Sequence, residues 1–149
     1  MGVEKELLAP CGLYCGVCAI LIAYRDDNQK FKEKLAPVYG VKPEDIVCKG
    51  CKSGDQFAYC RTCLIRNCTE EKNFEGCHEC GDFPCELIDK FPIPVGKKVI
   101  ARAIPARREL GTEKWVEEEE KRYRCPSCGN RLFRGAKRCN GCKEPVDRD

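Results

Sequence analysis

Residues 48–85 read CKGCKSGDQFAYCRTCLIRNCTEEKNFEGCHECGDFPC, and eight of these 38 residues are cysteine. They fall as Cys48-x2-Cys51, Cys60-x2-Cys63-x4-Cys68 and Cys77-x2-Cys80-x4-Cys85. A two-residue gap lets two thiolates reach one ion, whereas the apolar residues between the ligands are too few for an ordinary core. Structural zinc contributes about 10–16 kcal/mol of apparent binding free energy per site in finger peptides. That equals or exceeds the net stability of a whole domain. Metal, more than apolar burial, is expected to order this stretch.

On the N-terminal side lies Cys11-x3-Cys15-x2-Cys18, and on the C-terminal side Cys125-x2-Cys128-x10-Cys139-x2-Cys142. Fifteen cysteines in 149 residues suit either a disulfide scaffold or metal sites. The odd count and the repeated two-residue knuckle favour metal, and persistent thiolates imply a reducing, cytoplasmic setting. Leu7 to Tyr24 is uncharged and invites a membrane or signal reading. Pro10, Gly12, Gly16 and three ligand-spaced cysteines interrupt it, so a soluble chain with no membrane partner is expected.

Composition divides the chain into a cysteine-rich metal-binding domain (1–95), a helical connector (96–124) and a zinc ribbon (125–149). The expected fold class is a small, metal-organised domain of short helices and irregular segments, with a C-terminal ribbon built on a β-hairpin. Ala19 to Tyr39 has the spacing of one helix, with Ile20, Tyr24, Phe31 and Leu35 on one face and an end marked by Pro37 and Gly40. Val41 to Ile46 reads as a helical turn, and Pro84 to Asp89 as a short helix with Pro84 in its first turn. The connector is broken at Pro105 and Gly111. Thr112 is placed to cap a last helix, whose charges Glu117–Lys121, Glu118–Arg122 and Glu120–Arg124 are spaced for surface pairing. Cys60, Cys63 and Cys68 recur 17 residues later as Cys77, Cys80 and Cys85, read as two knuckles built alike in preference to a duplication.

The C-terminal quartet Cys125, Cys128, Cys139 and Cys142 has the form of a closed structural zinc site, although Lys143 stands where glycine is common. In the N-terminal segment the ligand candidates are Cys11, Cys15, Cys18, Cys48, Cys51, Cys60, Cys63, Cys68, Cys77, Cys80 and Cys85. The only histidine, His78, would bring them to twelve, enough for three four-coordinate sites. Two all-cysteine sites with loose thiols is the alternative. Zinc is the expected ion. An iron–sulfur cluster at Cys11, Cys15 and Cys18 is the rival, because that spacing serves radical S-adenosylmethionine enzymes. Those enzymes need a barrel-sized domain and favour an aromatic residue where this chain has Val17, but an ordinary four-iron cluster remains open.

No acid–base or nucleophile set with a histidine to spare is present, so the reading is a non-catalytic interaction or adaptor module with a protein partner. Electron transfer or redox-enzyme assembly is the alternative. The formal charge of +3 turns mildly acidic once thiolates bind divalent ions, which disfavours global attraction to phosphate. Locally, residues 121–149 hold nine Lys or Arg against three acids. A zinc-filled ribbon would leave that tail at about +4, which keeps nucleic acid as a weaker partner.

The order Cys11-Gly12-Leu13-Tyr14-Cys15-Gly16-Val17-Cys18, Cys48-Lys49-Gly50-Cys51, Cys63-Leu64-Ile65-Arg66-Asn67-Cys68, Cys77-His78-Glu79-Cys80 and Phe83-Pro84-Cys85 resembles the cysteine-rich bacterial and archaeal family of domain of unknown function 3795. Gly111 to Trp115, running into Cys125-Pro126-Ser127-Cys128-Gly129, extends the likeness. The resemblance implies no established activity. It implies no ligand role for His78, and the family's frequency in anaerobes favours iron–sulfur chemistry.

Overall fold

The computed structural model describes residues 3–149. Six α-helices occur among them: α1 (Ala19–Arg25), α2 (Gln29–Tyr39), α3 (Leu64–Glu71), α4 (Glu86–Asp89), α5 (Pro94–Leu110) and α6 (Thr112–Arg122). Short 3-10 turns carry several cysteine segments, among them Cys15–Val17, Ala58–Cys60 and Cys77–Glu79. The only β pairing among the described residues is two isolated antiparallel bridges, Arg124 with Arg131 and Arg138 with Pro145. The expected β-hairpin ribbon is thus reduced to two bridges, one beside each C-terminal knuckle. Ten residues between knuckles leave little chain for a ladder once each knuckle has closed its own turn.

The single helix expected over 19–39 is two. Asp26 and Asp27 form a turn, Asp27 takes a left-handed φ of 46°, and the Asn28 side chain caps α2 by accepting the Phe31 amide at 3.1 Å. A capping asparagine competes with helix continuation for exactly those amides it satisfies. Gly40 closes α2 in the left-handed region at φ 66°, as glycine does at a helix end. Pro37 lies within α2 instead of ending it.

Pro105 likewise does not break the connector, because α5 runs through it. Pro105 and Ala101, whose carbonyl loses its helical partner, both face outward, so water can satisfy that group. Gly111 caps α6 instead of Thr112. The Thr112 hydroxyl instead accepts from Arg107 Nε at 3.0 Å. Pro84 precedes the cap of α4, a position held by Cys85.

Helices α5 and α6 form the spine. On α5, Val99, Ile100, Ala103, Ile104 and Arg107 are buried, and on α6 Trp115, Val116 and Glu119. Trp115 is 1% exposed. The Arg107 guanidinium lies over its ring at 5.2 Å, and Tyr14 meets it edge-on at 6.1 Å between centroids. One apolar cluster draws Leu7, Tyr14, Ile20 and Leu21 together with Trp115, Tyr123, Leu132 and Val146. All three compositional segments therefore share a core. The ribbon is pinned to it by Arg134 N donating to the Val17 carbonyl at 2.7 Å and by Phe133 against Phe31 at 5.1 Å.

The expected surface pairs on α6 are not formed. Glu119 is 2% exposed and pairs with Arg102 of α5 at 2.5 Å, while Glu120 accepts the Tyr14 hydroxyl at 2.9 Å. Lys114 and Lys121 take Glu117 and Glu118 instead. A charge run that looks solvated in sequence is partly a tertiary clamp. Replacing Trp115 by alanine should cost about 3–5 kcal/mol, read as a lower unfolding midpoint by circular dichroism of the metal-loaded protein.

Candidate metal centres

The cysteines fall into three sets, of which only the C-terminal one brings its sulfurs within 4.8 Å of one another among the described residues. In the C-terminal group, Cys125, Cys128, Cys139 and Cys142 place their sulfurs within 4.8 Å of one another. Cys125 Sγ is 3.6 Å from Cys142 Sγ, and Cys128 Sγ is 3.6 Å from Cys139 Sγ. These separations far exceed a disulfide bond and suit four ligands around one ion. Each knuckle aims amides at sulfur, as Gly141 N does at Cys139 Sγ over 3.3 Å. The Cys142 amide above all, with that of Gly141, draws the Cys139 thiol down to about 6 against the opposing effect of burial. A thiolate already favoured before metal arrives is a ready ligand.

Both knuckles are followed by a residue in the left-handed region, Gly129 at φ 77° and Lys143 at φ 67°. Lys143 is the departure visible in the sequence. It is held there by Nζ donating to the Asn140 carbonyl at 2.8 Å and by its amide donating to the Cys139 carbonyl at 3.0 Å.

The second group contains seven cysteines from three separate segments, Cys11 to Cys18, Cys48 to Cys51 and Cys60 to Cys63. Cys11 feels the charges of Cys51 and Cys63, Cys15 those of Cys18 and Cys51, and Cys60 those of Cys18, Cys48, Cys51 and Cys63. Burial, then this crowding of sulfur, pushes Cys60 up to about 12. Cys11 also stands at about 12, chiefly through burial. Two arginines hold the group together. Arg66 on α3, only 7% exposed, donates to the carbonyls of Cys51 at 3.3 Å, Cys60 at 3.0 Å and Arg61 at 2.9 Å. It also lies 3.9 Å from Cys51 Sγ. Arg134 reaches in from the ribbon, donating to the Tyr14 carbonyl at 3.1 Å. Burial opposes its charge, but Cys18, Cys15 and Cys11 sustain it.

The third group is Cys68, Cys77, Cys80 and Cys85, which line one cavity of about 30 Å³. The 17-residue recurrence does not carry into three dimensions. Cys68 lies inside α3 and its counterpart Cys85 caps α4, and Cys77 feels the charges of Cys85, Cys80 and Cys68 as well as that of Cys63. His78 stands apart from the sulfurs, grouped with Glu75 and Glu79. Its buried Nδ1 has no hydrogen-bond partner, and neither do both terminal nitrogens of Arg107. Burial, then the Arg107 charge, holds its pKa below the ordinary histidine value. A fixed cation beside this trio opposes a metal ion there.

Sequence motifs point to the cysteines but not to Arg66, Arg107, Glu119 or Arg134. The only available signal was Arg66 standing between Cys63 and Cys68 on a helix. Two outcomes follow. Arg66→Met should destabilise by about 1.5–3 kcal/mol, the worth of a hydrogen bond from a charged group, measured by denaturant unfolding. Lys143→Gly should relieve left-handed strain of about 1 kcal/mol, read as slower loss of ribbon metal to a chelator.

Residues 7–90 match the model of a family described as "Protein of unknown function (DUF3795)". That match takes in the second and third cysteine groups and ends before the C-terminal quartet. Neither a curated protein nor a solved structure matches the chain. Spanning more than half of the chain, the match establishes that this protein belongs to the DUF3795 family.

Proposed function

We propose that this chain is a zinc-binding, non-catalytic interaction module of the cytoplasm, in which metal–thiolate sites set the fold and a protein partner reads its surface. The observation that carries the metal is the C-terminal quartet. Zn–S bonds of about 2.3 Å imply a tetrahedral sulfur–sulfur edge of about 3.8 Å, and the two close pairs stand at 3.6 Å. Four thiolates complete the shell and leave no position for water or substrate, so the ion supplies structure and no Lewis-acid chemistry. No helix among the described residues is long and apolar enough to cross a membrane.

A protein partner is supported by apolar side chains left outside the core, Val38 at 74%, Leu64 at 65% and Tyr59 at 51% exposure. The basic tail supports nucleic acid less well than its composition suggests. Arg131 pairs with Asp26 at 2.8 Å, Arg138 and Arg148 donate to backbone carbonyls, and Arg134 faces inward.

A second reading is favoured by the seven-sulfur group, which offers more thiolate than one four-coordinate ion uses. There an iron–sulfur cluster at Cys11, Cys15 and Cys18, with a further ligand from Cys48–Cys63, would make the chain an electron-transfer or redox-assembly protein. Arg134 and Arg66 would offset the charge of either centre.

Elemental analysis and a visible spectrum of anaerobically purified protein separate the two. Zinc in stoichiometric amount with a colourless solution is the expected result. Stoichiometric iron and acid-labile sulfide, with absorption that bleaches on reduction, would replace the zinc reading of the N-terminal group.

A further inference from the structure

We propose that the C-terminal quartet works as a latch on the N-terminal segment. An ion held by Cys125, Cys128, Cys139 and Cys142 fixes the loop that carries Arg134, and Arg134 in turn holds the turn Cys15–Val17 closed. This coupling rests on the metal-binding reading of the quartet above and adds what that metal controls elsewhere in the chain.

Arg134 lies in the ten-residue loop between Cys128 and Cys139. Regular structure does little to define that loop. Its β pairing, among the described residues, is the two isolated bridges Arg124 with Arg131 and Arg138 with Pro145. The Gly135 amide donates to the Asp149 carboxylate at 2.7 Å, and the Ala136 amide to the Phe133 carbonyl at 3.1 Å. The knuckles at its two ends meet where four sulfurs lie within 4.8 Å of one another. An ion bound there ties both ends of the loop to one point, so that ion binding becomes folding free energy of the loop.

Arg134 meets the N-terminal segment at two points that bracket one turn. Its amide donates to the Val17 carbonyl at 2.7 Å, and its Nη1 donates to the Tyr14 carbonyl at 3.1 Å. Tyr14 caps the 3-10 turn Cys15–Val17 and Val17 is its last residue, so one residue of the ribbon grips both ends of the turn that carries Cys15 and leads into Cys18. Gly16 at the centre of the turn supplies no side chain; a Cβ there would come within 2.4 Å of the Tyr14 ring. The turn therefore has little packing of its own to hold it. Cys18 and Cys15 are also near enough for their charges to sustain that of Arg134 against burial. Undocking the loop removes two hydrogen bonds and a cation from these cysteines at once. A loop docked by Leu132 and Phe133 alone would instead keep Arg134 in place whatever the quartet holds. Coupling between two sites is reciprocal, so contact with the turn must also tighten the hold of the quartet on its ion.

The test uses the reduced, zinc-loaded full-length chain under anaerobic conditions, with thiol labelling mapped to each cysteine by mass and zinc counted per chain. Cys128→Ser removes the exposed ligand of the quartet, whereas Arg134→Gln removes the guanidinium and leaves all four ligands. Cys128→Ser is expected to lower the zinc content by one ion per chain and to leave Cys80 and Cys85 labelling unchanged. In the same variant Cys15 and Cys18 should label about tenfold faster, within the usual range of coupling between sites. Arg134→Gln is expected to keep the full zinc content, to speed labelling of the same two thiols, and to release the quartet thiols at a lower chelator concentration. The latch is overturned if Cys128→Ser loses its zinc while Cys15 and Cys18 label at the unaltered rate, or if Arg134→Gln changes neither rate. It is also overturned if Cys80 and Cys85 accelerate as much as Cys15 and Cys18, which marks general loosening. A Cys128→Ser chain that holds as much zinc as the unaltered one overturns the metal reading of the quartet, so the zinc count separates that failure from failure of the latch.

Discussion

Across residues 48–85 an apolar core is nearly absent, and the surrounding structure has to make good that lack. Between Cys48 and Cys85 the buried apolar side chains other than cysteine are Phe57 and Ile65, while Tyr59 and Leu64 face outward. Two such residues supply about 3–6 kcal/mol of burial. Ordering roughly one residue costs about 1–2 kcal/mol of backbone entropy alone, so a 38-residue segment is far from self-supporting. An ion bound by sulfurs from distant segments would act as a long-range crosslink and order the loops between its ligands.

Gathered thiolates concentrate negative charge, and the fold places cations at two of the three cysteine groups, the one from Cys11 to Cys63 and the one from Cys68 to Cys85. Arg66 and Arg134 stand at the seven-sulfur group, and Lys72 stands at the third. Arg66 does two things at once, since the guanidinium that faces Cys51 also satisfies three carbonyls of the intervening loop. Arginine suits this role because its planar fork presents several donors and keeps its charge when buried. Arg134 comes from the ribbon segment, so the electrostatics of the N-terminal group depend on the C-terminal one being docked.

Helices α5 and α6 explain how these groups are kept in register. They bury Trp115, Arg107 and Glu119 against the N-terminal segment, and the Glu119–Arg102 pair ties them to each other. Arg108 extends the same spine to the third sulfur group, donating to the His78 carbonyl at 2.9 Å and the Cys80 carbonyl at 2.5 Å. The spine therefore positions ligand loops through backbone acceptors, leaving the sulfurs free for metal.

The sequence by itself pointed to the C-terminal quartet, whose sulfurs do come together, because knuckle spacing is a local property: two thiolates three residues apart can face one ion whatever the surrounding fold. It also located the ends of local elements where a single residue dictates the backbone, as Gly40 does in the left-handed region. It misplaced the elements whose fate depends on neighbours. Pro105 has the local preference of a helix break, yet its exposed position lets water satisfy the carbonyl it leaves unpaired; the charge run of α6 has the pattern of a solvated face, yet Arg102 lies across from Glu119. Only the tertiary structure decided which distant knuckles come together, that His78 sits with Glu75, Glu79 and Arg107 and not among sulfurs, and which arginines neutralise the thiolates. The arginine contacts join segments as far as 15 to 120 residues apart, and no periodicity or spacing within a segment encodes them.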